Sequence, residues 1–198
     1  MVNEARAIEA AKQGQLAAFN QLIMANQGLA YNVAYRIMGD ADAAADATQE
    51  AFIKAFKSIN QFQGGAFKSW LMRIVTNTCY DQLRYQKRRP TEALEGEENP
   101  TDYAPHLLDT AEQPEEAATR HELGEVIQTA INQLSPDQRL AIVLSDVEGF
   151  SYQEISEIAN VSLGTVKSRL NRARGRLREI LQAQELLPAQ YRLKDIDT

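Results

Sequence analysis

The most chemically distinctive residues of this sequence are basic side chains that recur along one segment near its C-terminal end. Between Ser162 and Arg178 there are six lysines and arginines and no acid. A solvated surface helix usually mixes both signs, because opposite charges three or four residues apart stabilise it. An all-positive face instead suits the phosphate backbone of nucleic acid. We therefore expect this segment to bind DNA rather than to be only a solvated surface.

The apolar residues of the same segment predict the helix that positions these charges. One inward stripe at steps of three and four is formed by Leu163, Val166, Leu170, Ala173 and Leu177. At 100° per residue, the opposite face carries Thr165, Ser168, Arg169, Arg172 and Arg176. Ser162 is placed to cap this helix. A capping box at 151–154 starts a shorter helix just before it, and a turn lies around Asn160. Two short helices joined in this way, the second rich in arginine, are typical of a helix-turn-helix.

Helical spacing also fills the first 90 residues, where strand signals are absent. The pattern predicts a helix capped by Asn3 that ends before Gly14, a second from Leu16 and a third that stops at Gly39. A fourth runs from about Asp40 to Ile59, with Phe52, Phe56 and Ile59 on one apolar stripe. A fifth begins after the glycines at 64 and 65 and ends before Pro90. Ser135, followed by proline, predicts another helix start after the middle of the chain. The fold class is therefore all-α.

An acidic segment divides the chain. Residues 91–118 contain nine acids and no lysine or arginine, whereas residues 1–90 carry eleven bases against seven acids. Prolines interrupt the segment and its apolar residues show no sustained period, so it is predicted to be an extended, flexible linker. The resulting prediction is a domain at 1–90, a linker at 91–118, a second domain at 119–187 and a C-terminal tail at 188–198. Two small helical domains would be joined by this acidic linker.

Several classes of protein are excluded by composition. The chain has one cysteine, Cys79, and two histidines, His106 and His121, which excludes an internal disulfide and nearly excludes a zinc site. The N-terminus lacks the apolar segment of a secretory signal, and no apolar run approaches the roughly 18 residues of a membrane span. No phosphate loop or nucleophile motif occurs. We therefore expect a cytoplasmic protein that is not an enzyme, inserts into no membrane and needs neither cofactor nor metal.

Three stretches, in order and spacing, resemble the bacterial RNA polymerase sigma factors of the sigma-70 family, in their small extracytoplasmic-function (ECF) branch. DATQEAFIKAF at 46–56 resembles the family's region 2.2. FKSWLMRI at 67–74, with Asn77 and DQLR at 81–84, resembles regions 2.3 and 2.4. YQEI at 152–155 through GTVKSRL at 164–170 resembles region 4.2. The resemblance implies a region 2 helical bundle and a region 4 helix-turn-helix, covering nearly the whole chain.

The resemblance also implies the surfaces of region 2. Region 2.2 in this family binds the clamp of the largest polymerase subunit, and the corresponding residues here are Asp42, Asp46, Gln49, Glu50 and Ile53. Regions 2.3 and 2.4 open promoter DNA and read the minus-ten element, where an extruded base needs a stacking surface and hydrogen bonds to its edge. The predicted minus-ten residues are Phe62, Phe67, Lys68, Arg73, Asn77, Arg84, Lys87 and Arg88.

Region 4.2 of the family reads the minus-thirty-five element. Arginine pairs naturally with guanine in the major groove, and serine or threonine with several base edges. The predicted base-edge or close-approach residues are Gly164, Thr165, Ser168, Arg169 and Arg172, and the predicted phosphate contacts are Lys167, Arg174 and Arg176.

The implied function is that of an alternative sigma factor. Its implied partners are core RNA polymerase, through the clamp of the largest subunit and the flap of the second, together with promoter DNA and an anti-sigma factor. One alternative remains open, a homodimeric helix-turn-helix regulator that binds an operator. That alternative predicts a palindromic site and a dimer surface.

Overall fold

A computed structural model describes residues 4–88 and 114–183, with side chains in the second range described from residue 123. Within these ranges the regular structure is helical, without strands, which confirms the predicted all-α class. The helices are α1 Glu4–Lys12, α2 Leu16–Met24, α3 Gln27–Met38, α4 Ala41–Ser58, α5 Phe67–Arg88, α6 Pro114–Asn132, α7 Pro136–Ile142, α8 Tyr152–Ala159 and α9 Leu163–Ala183. A 3-10 turn, Ile59–Gln61, follows α4, and a π-helical turn, Val143–Val147, follows α7.

The first half is built around α3, α4 and α5, which contact one another. Small residues let these helices approach closely, because the buried residues of α4 are Ala44, Ala47, Ala51 and Ala55 together with Thr48. Larger side chains from α5 fill the remaining volume, with Phe67, Leu71 and Met72 fully buried. The result is a packed bundle that leaves the outward faces of α4 and α5 to solvent.

The junction between α3 and α4 follows from two neighbouring residues. Gly39 ends α3 in the left-handed conformation, with φ of 76°, which only glycine adopts without strain. The Asp40 carboxylate then accepts a hydrogen bond of 2.7 Å from the backbone N–H of Ala43 and caps α4. The predicted helix boundary at Gly39 is thereby confirmed.

The second half contains α6 to α9, with α9 packed against α7 and α8. Its core takes Ile155 and Ile158 from α8 and Val166, Leu170 and Ala173 from α9. The predicted apolar stripe of α9 is confirmed from Val166 onward. Its first residue differs, because the Leu163 side chain lies in the opening turn of the helix and is 42% exposed.

Helix α6 begins inside the range predicted to be linker. Pro114 occupies its first position, where a missing N–H costs nothing because that group has no partner inside the helix. The sequence interpretation took this proline as an interruption, whereas it starts the helix. Residues 91–113 of the linker and the tail at 188–198 lie outside the described residues.

The two halves contact each other. Helix α3 of the first half contacts α6 and α7, and α5 contacts α8. Among the described residues, the side chains that make hydrogen bonds between the halves include those of Arg36, Tyr80, Gln128 and Arg139. The surfaces on which the two halves meet therefore include α5, the helix that carries most of the predicted minus-ten residues.

Candidate nucleic-acid interface

Helices α8 and α9 form the predicted helix-turn-helix, and local hydrogen bonds set its geometry. The Glu154 carboxylate accepts a bond of 2.8 Å from the Ser151 N–H, while the Ser151 hydroxyl accepts one of 3.3 Å from the Glu154 N–H. Asn160 ends α8 in the left-handed conformation, with φ of 53°. The Ser162 hydroxyl accepts a bond of 3.2 Å from the Thr165 N–H and caps α9. These bonds confirm the predicted helix starts.

The outward face of α9 presents most of the residues predicted for the minus-thirty-five element. The exposed ones are Gly164, Lys167, Ser168, Arg172, Arg174 and Arg176. Thr165 and Arg169 are half-buried. The N-terminal turns of α9 carry a glycine, which lets the helix backbone approach DNA closely, together with hydroxyls and basic side chains. A helix in the major groove needs such groups to contact base edges and phosphates.

Three of these arginines form ion pairs with carboxylates of the same half, and one of them, Arg176 with Glu179 at 3.0 Å, does so within α9 itself. The Arg169 guanidinium lies 2.6 Å from the Asp137 carboxylate at the start of α7. Arg174 donates two hydrogen bonds to Asp146, of 2.9 and 2.7 Å, and so ties α9 to the π-helical turn. These bonds from Arg174 hold the pKa of Asp146 below its ordinary value and raise that of Arg174. Arg174 therefore positions α9 within the fold, and a phosphate contact would have to compete with Asp146.

The predicted minus-ten residues separate into an exposed set, a buried pair of phenylalanines and Lys68, which is half-buried. The exposed set lies on α5 and contains Arg73, Asn77, Arg84, Lys87 and Arg88. At 100° per residue these positions fall within a sector of about 100°. We call them the polar stripe of α5. A stripe with four cations and one amide is suited to holding the backbone of single-stranded nucleic acid and bonding to a base edge.

Phe62 and Phe67 do not present a stacking surface in this structure. Their side chains are 5% and 0% exposed, and their ring centroids lie 6.0 Å apart. Trp70 contacts both rings at 5.4 Å and is itself half-buried. Their burial therefore does not support the predicted contacts of these two phenylalanines with bases. The three rings instead pack together and stabilise the loop before α5 from the core side.

The predicted polymerase-binding residues share one face of α4. Asp42, Asp46, Gln49 and Ile53 are exposed, and with Glu50 they fall within about 100° around the helix. Glu50 is half-buried. Lys54 and Gln82 donate to its carboxylate at 2.7 and 2.8 Å, and these bonds lower its pKa. The face is polar, with Ile53, 56% exposed, as its apolar centre.

Two residues near these surfaces were missed from the sequence. Phe56 was expected in the core stripe of α4, but its ring is 39% exposed and lies edge-on to Phe19 beside the Ile53 face. Tyr80 was not among the predicted site residues, and its hydroxyl donates to the Pro136 carbonyl oxygen at 2.8 Å. Helical periodicity could have marked Tyr80, because it falls about 20° from Arg73 around α5.

Cys79 does not have the surroundings of a reactive thiol. Its side chain is fully buried, and burial raises the pKa of the thiol to about 12, so that the nucleophilic thiolate is scarce near neutral pH. In the described part of the chain, no three His, Cys, Asp or Glu side chains group as a metal site requires. His106 and the side chain of His121 lie outside what the structure describes. None of the described helices is long and apolar enough to span a bilayer.

Comparison with known families matches both halves of the chain. The profile described as "Sigma-70 region 2" matches residues 22–89, and that described as "Sigma-70, region 4" matches residues 124–177. The chain is 39% identical over 171 residues to the ECF RNA polymerase sigma factor SigE of Mycolicibacterium smegmatis, covering 85% of this chain and 63% of that one. It is 36% identical over 177 residues to the RNA polymerase sigma-H factor of Pseudomonas aeruginosa, covering 88% of this chain and 92% of that one.

Two solved structures superpose over most of the chain. One is CnrH in complex with the cytosolic domain of CnrY, with a TM-score of 0.64 and 27% identity over 89% of this chain and 96% of that one. The other is the sigma factor RpoE in complex with the anti-sigma factor NepR from Bartonella quintana. Its TM-score is 0.62 and its identity 30%, over 83% of this chain and 96% of that one.

Proposed function

The chain belongs to the sigma-70 family of bacterial RNA polymerase sigma factors, in its ECF branch, and from this premise we propose that it binds core RNA polymerase and directs transcription from specific promoters. One observation carries the proposal. The same chain combines a capped helix-turn-helix whose second helix exposes a basic outer face with a helical bundle that exposes a polar stripe on α5.

In this proposal α9 enters the major groove of the minus-thirty-five element. Arg172 and Ser168 project from exposed positions in the first half of the helix, where they can reach base edges. Lys167 and Arg176 hold the flanking phosphates. Arg169 and Arg174 contribute only when their bonds to Asp137 and Asp146 are exchanged for bonds to DNA.

The polar stripe of α5 holds the single-stranded minus-ten element. Phosphates are neutralised by Arg73 and Arg84 and, at the C-terminal end of the stripe, by Lys87 and Arg88. Asn77 hydrogen-bonds a base. Lys68, also predicted for this surface, lies on another side of α5 and is half-buried, with its ammonium group 4.1 Å from the centroid of the Phe150 ring. Phe62 and Phe67 support the loop from the core rather than stack on a base.

The α4 face centred on Ile53 docks on the clamp of the largest polymerase subunit, and the second half contacts the flap of the second subunit. A mixed face of carboxylates around one apolar side chain fits a partner surface that offers both cations and an apolar pocket. Phe56 extends the apolar part of this face.

We extend the proposal to an anti-sigma partner. The RpoE structure that superposes on this chain was solved with the anti-sigma factor NepR, and CnrH was solved with the cytosolic domain of CnrY. These superpositions cover 89% and 83% of this chain, which supports a partner of comparable kind. The sigma factor itself does no chemistry, because the polymerase catalyses nucleotide addition, and its place of action is the cytoplasm.

The proposal is tested by run-off transcription on fragments of the source genome, with purified core polymerase. We expect defined transcripts only when the chain is added to core. A chain with Ile53→Glu is expected to lose core binding and transcripts together, because it places a charge at the apolar centre of the α4 face. Gln13→Glu, which changes an exposed residue away from that face, is the matched control.

Absence of any transcript from the complete set of fragments would contradict the proposal. Tight binding of the free chain to a palindromic duplex without polymerase would instead identify the operator-binding regulator that the sequence left open.

A further inference from the structure

The middle of the outward face of α9 carries residues with short side chains or none, namely Gly164, Ser168, Asn171 and Gly175. At 100° per residue they fall within about 60° around the helix, on the side opposite the buried Val166 and Ala173. All of them are exposed. We call them the central line of α9. A duplex that takes α9 into its major groove faces this line.

Asn171 is the residue of the central line whose side chain is free to bond outside the chain. It is exposed in the interior of α9, and its amide makes no hydrogen bond to another residue in the part of the chain that the structure describes. Ser168, the other polar side chain of the line, already donates to the Thr165 carbonyl oxygen at 2.9 Å. Asparagine is also a weak helix former, so its presence here gains the fold nothing.

The two glycines of the central line leave the surface beside Asn171 low. A Cβ atom added at Gly175 would meet no described side chain within 4 Å, and one added at Gly164 would meet the Ser162 hydroxyl oxygen at 3.8 Å. Packing among the described residues therefore does not require glycine at either position, although glycine at Gly175 weakens the helix relative to alanine. Without these side chains, the backbone of α9 can approach base pairs closely enough for the short side chain of Asn171 to reach them.

Cations border the central line on both sides. Lys167 and Arg172 lie about 70° to either side of it around α9, and both are exposed. Neither has an ion-pair partner within the described ranges, so both are available to DNA. Contacts from these two long side chains hold α9 in the groove with its central line toward the base edges.

We propose that Asn171 reads an adenine in the major groove of the minus-thirty-five element, so that this chain selects promoters with adenine at one position of that element. The inference rests on the proposed function and names a specificity-determining residue for the same helix. Asn171 and Arg172 then read different base pairs, Asn171 from the middle of the outward face and Arg172 from its side.

Adenine is the base whose major-groove edge matches a carboxamide. The Asn171 Oδ1 atom accepts a hydrogen bond from the adenine N6 amino group, and its Nδ2 atom donates one to adenine N7. Guanine presents two acceptors, which would leave Oδ1 without a donor. Cytosine presents one donor, and thymine presents one acceptor beside a methyl group, so each satisfies only one end of the amide.

The first experiment is run-off transcription by core polymerase with the full chain. The template is a promoter found in the genomic run-off, with its minus-thirty-five element randomised and a transcribed barcode that identifies each sequence. We expect the unmodified chain to prefer adenine at one position by about tenfold, the effect of one bidentate contact. Asn171→Ala is expected to remove that preference and to retain the preferences at the other positions.

Gln182→Ala is the matched control for this experiment. Gln182 is also an exposed amide on the same side of α9, but it lies about 16 Å further along the helix than Asn171. We expect this variant to show the base preferences of the unmodified chain.

A second variant changes the preference instead of removing it. Arginine bonds bidentately to the O6 and N7 atoms of guanine and is a strong helix former. Asn171→Arg is therefore expected to fold and to shift the preferred base at the same position from adenine to guanine. Loss of a phosphate contact or of stability would instead change transcription from all templates by one factor. Thermal unfolding of each variant verifies that the fold is retained.

The outcomes separate this inference from the proposed function. An adenine preference that Asn171→Ala leaves unchanged overturns the inference, as does a uniform decrease on all templates or a preferred base other than adenine at the affected position. Absence of run-off with the unmodified chain contradicts the proposed function instead. The free chain is then used to select duplexes from a randomised pool at low salt. Loss of one selected adenine in Asn171→Ala supports the inference there, and an unchanged selection overturns it.

Discussion

Arg172 and Arg169 differ in what their guanidinium groups already contact. Arg169 is engaged by Asp137, whereas Arg172 projects from an exposed position and has no ion-pair partner among the described residues. A guanidinium without an ion-pair partner loses little free energy when it exchanges water for hydrogen bonds to the edge of a guanine. Arg172 is therefore the arginine of α9 best placed for direct base contact, and Arg169 becomes available only after its ion pair is broken.

Arg172→Ala is expected to reduce discrimination between the correct base and other bases at one position of the minus-thirty-five element. The expected loss is about 1–3 kcal/mol, the usual contribution of a bidentate base contact. The measurement is transcription from promoters substituted at each base of that element. Arg178→Ala is the matched control, since it removes an exposed charge near the end of the same helix. A uniform decrease at all promoters would show that Arg172 contacts phosphate instead.

At the scale of the element, the turn between α8 and α9 depends on one residue in an unusual conformation. Asn160 has φ of 53° and is the one non-glycine residue with positive φ among those described. Asparagine tolerates this conformation, whereas a β-branched side chain is strained by it. The turn fixes the angle at which α9 leaves α8, so the strain of a substitution reaches the recognition helix.

Asn160→Val is expected to destabilise the chain by about 1–2 kcal/mol, and Asn160→Gly to leave its stability nearly unchanged. Thermal unfolding followed by circular dichroism measures both. Equal losses for the two substitutions would indicate that the asparagine side chain, and not its backbone conformation, supports the turn.

The capping box of α8 predicts that the stability of the fold depends on pH. The bonds from the Ser151 hydroxyl and N–H lower the pKa of Glu154 from its ordinary value of 4.5. A carboxyl with a lowered pKa in the folded state stabilises the fold above its unfolded pKa, and that contribution is lost as pH falls through the folded pKa. The window therefore lies below about pH 4.5.

Glu154→Gln should retain the capping geometry, because a glutamine oxygen can accept from the Ser151 N–H, but it should lack this pH dependence. Ser151→Ala should cost about 0.5–2 kcal/mol at neutral pH. Urea unfolding at neutral pH and near pH 4 measures the difference between the unmodified chain and each variant. A Glu154→Gln chain that loses as much stability on acidification as the unmodified chain would assign the effect to other carboxylates.

At the scale of the whole molecule, the distribution of charge opposes DNA binding by the free chain. The net charge is −6, and nine acids lie in residues 91–118, most of which the structure does not describe. These carboxylates compete with phosphate for the same bases. In the same direction, the Arg169 guanidinium is already bound by the Asp137 carboxylate.

The full-length free chain is therefore expected to bind duplex promoter DNA weakly and to gain sequence specificity with core polymerase. Fluorescence anisotropy with a promoter duplex, with and without core and at several salt concentrations, measures this. The free-chain affinity should fall steeply with salt, since it depends on phosphate contacts. Tight, sequence-specific binding by the free chain at physiological salt would contradict the prediction.

Local sequence determined the positions of the helices and the basic, polar composition of two surfaces, the outer face of α9 and the polar stripe of α5. The capping box of Ser151 and Glu154, the left-handed Gly39 and the stripe Val166–Leu170–Ala173 all follow from interactions between residues a few positions apart, which composition and spacing record. The exposed basic face of α9 and the polar stripe of α5 follow from the same periodicity. The domain limits within residues 91–113 and beyond residue 183 stay predictions.

Tertiary packing decided which of these side chains are free to act. Phe62 and Phe67 are buried because their rings pack with Trp70, and Arg174 holds Asp146 because the π-helical turn brings that carboxylate beside α9. The contact of Tyr80 with Pro136 joins residues 56 positions apart. No periodicity in the sequence records such a contact, since it depends on how the second half packs against α5.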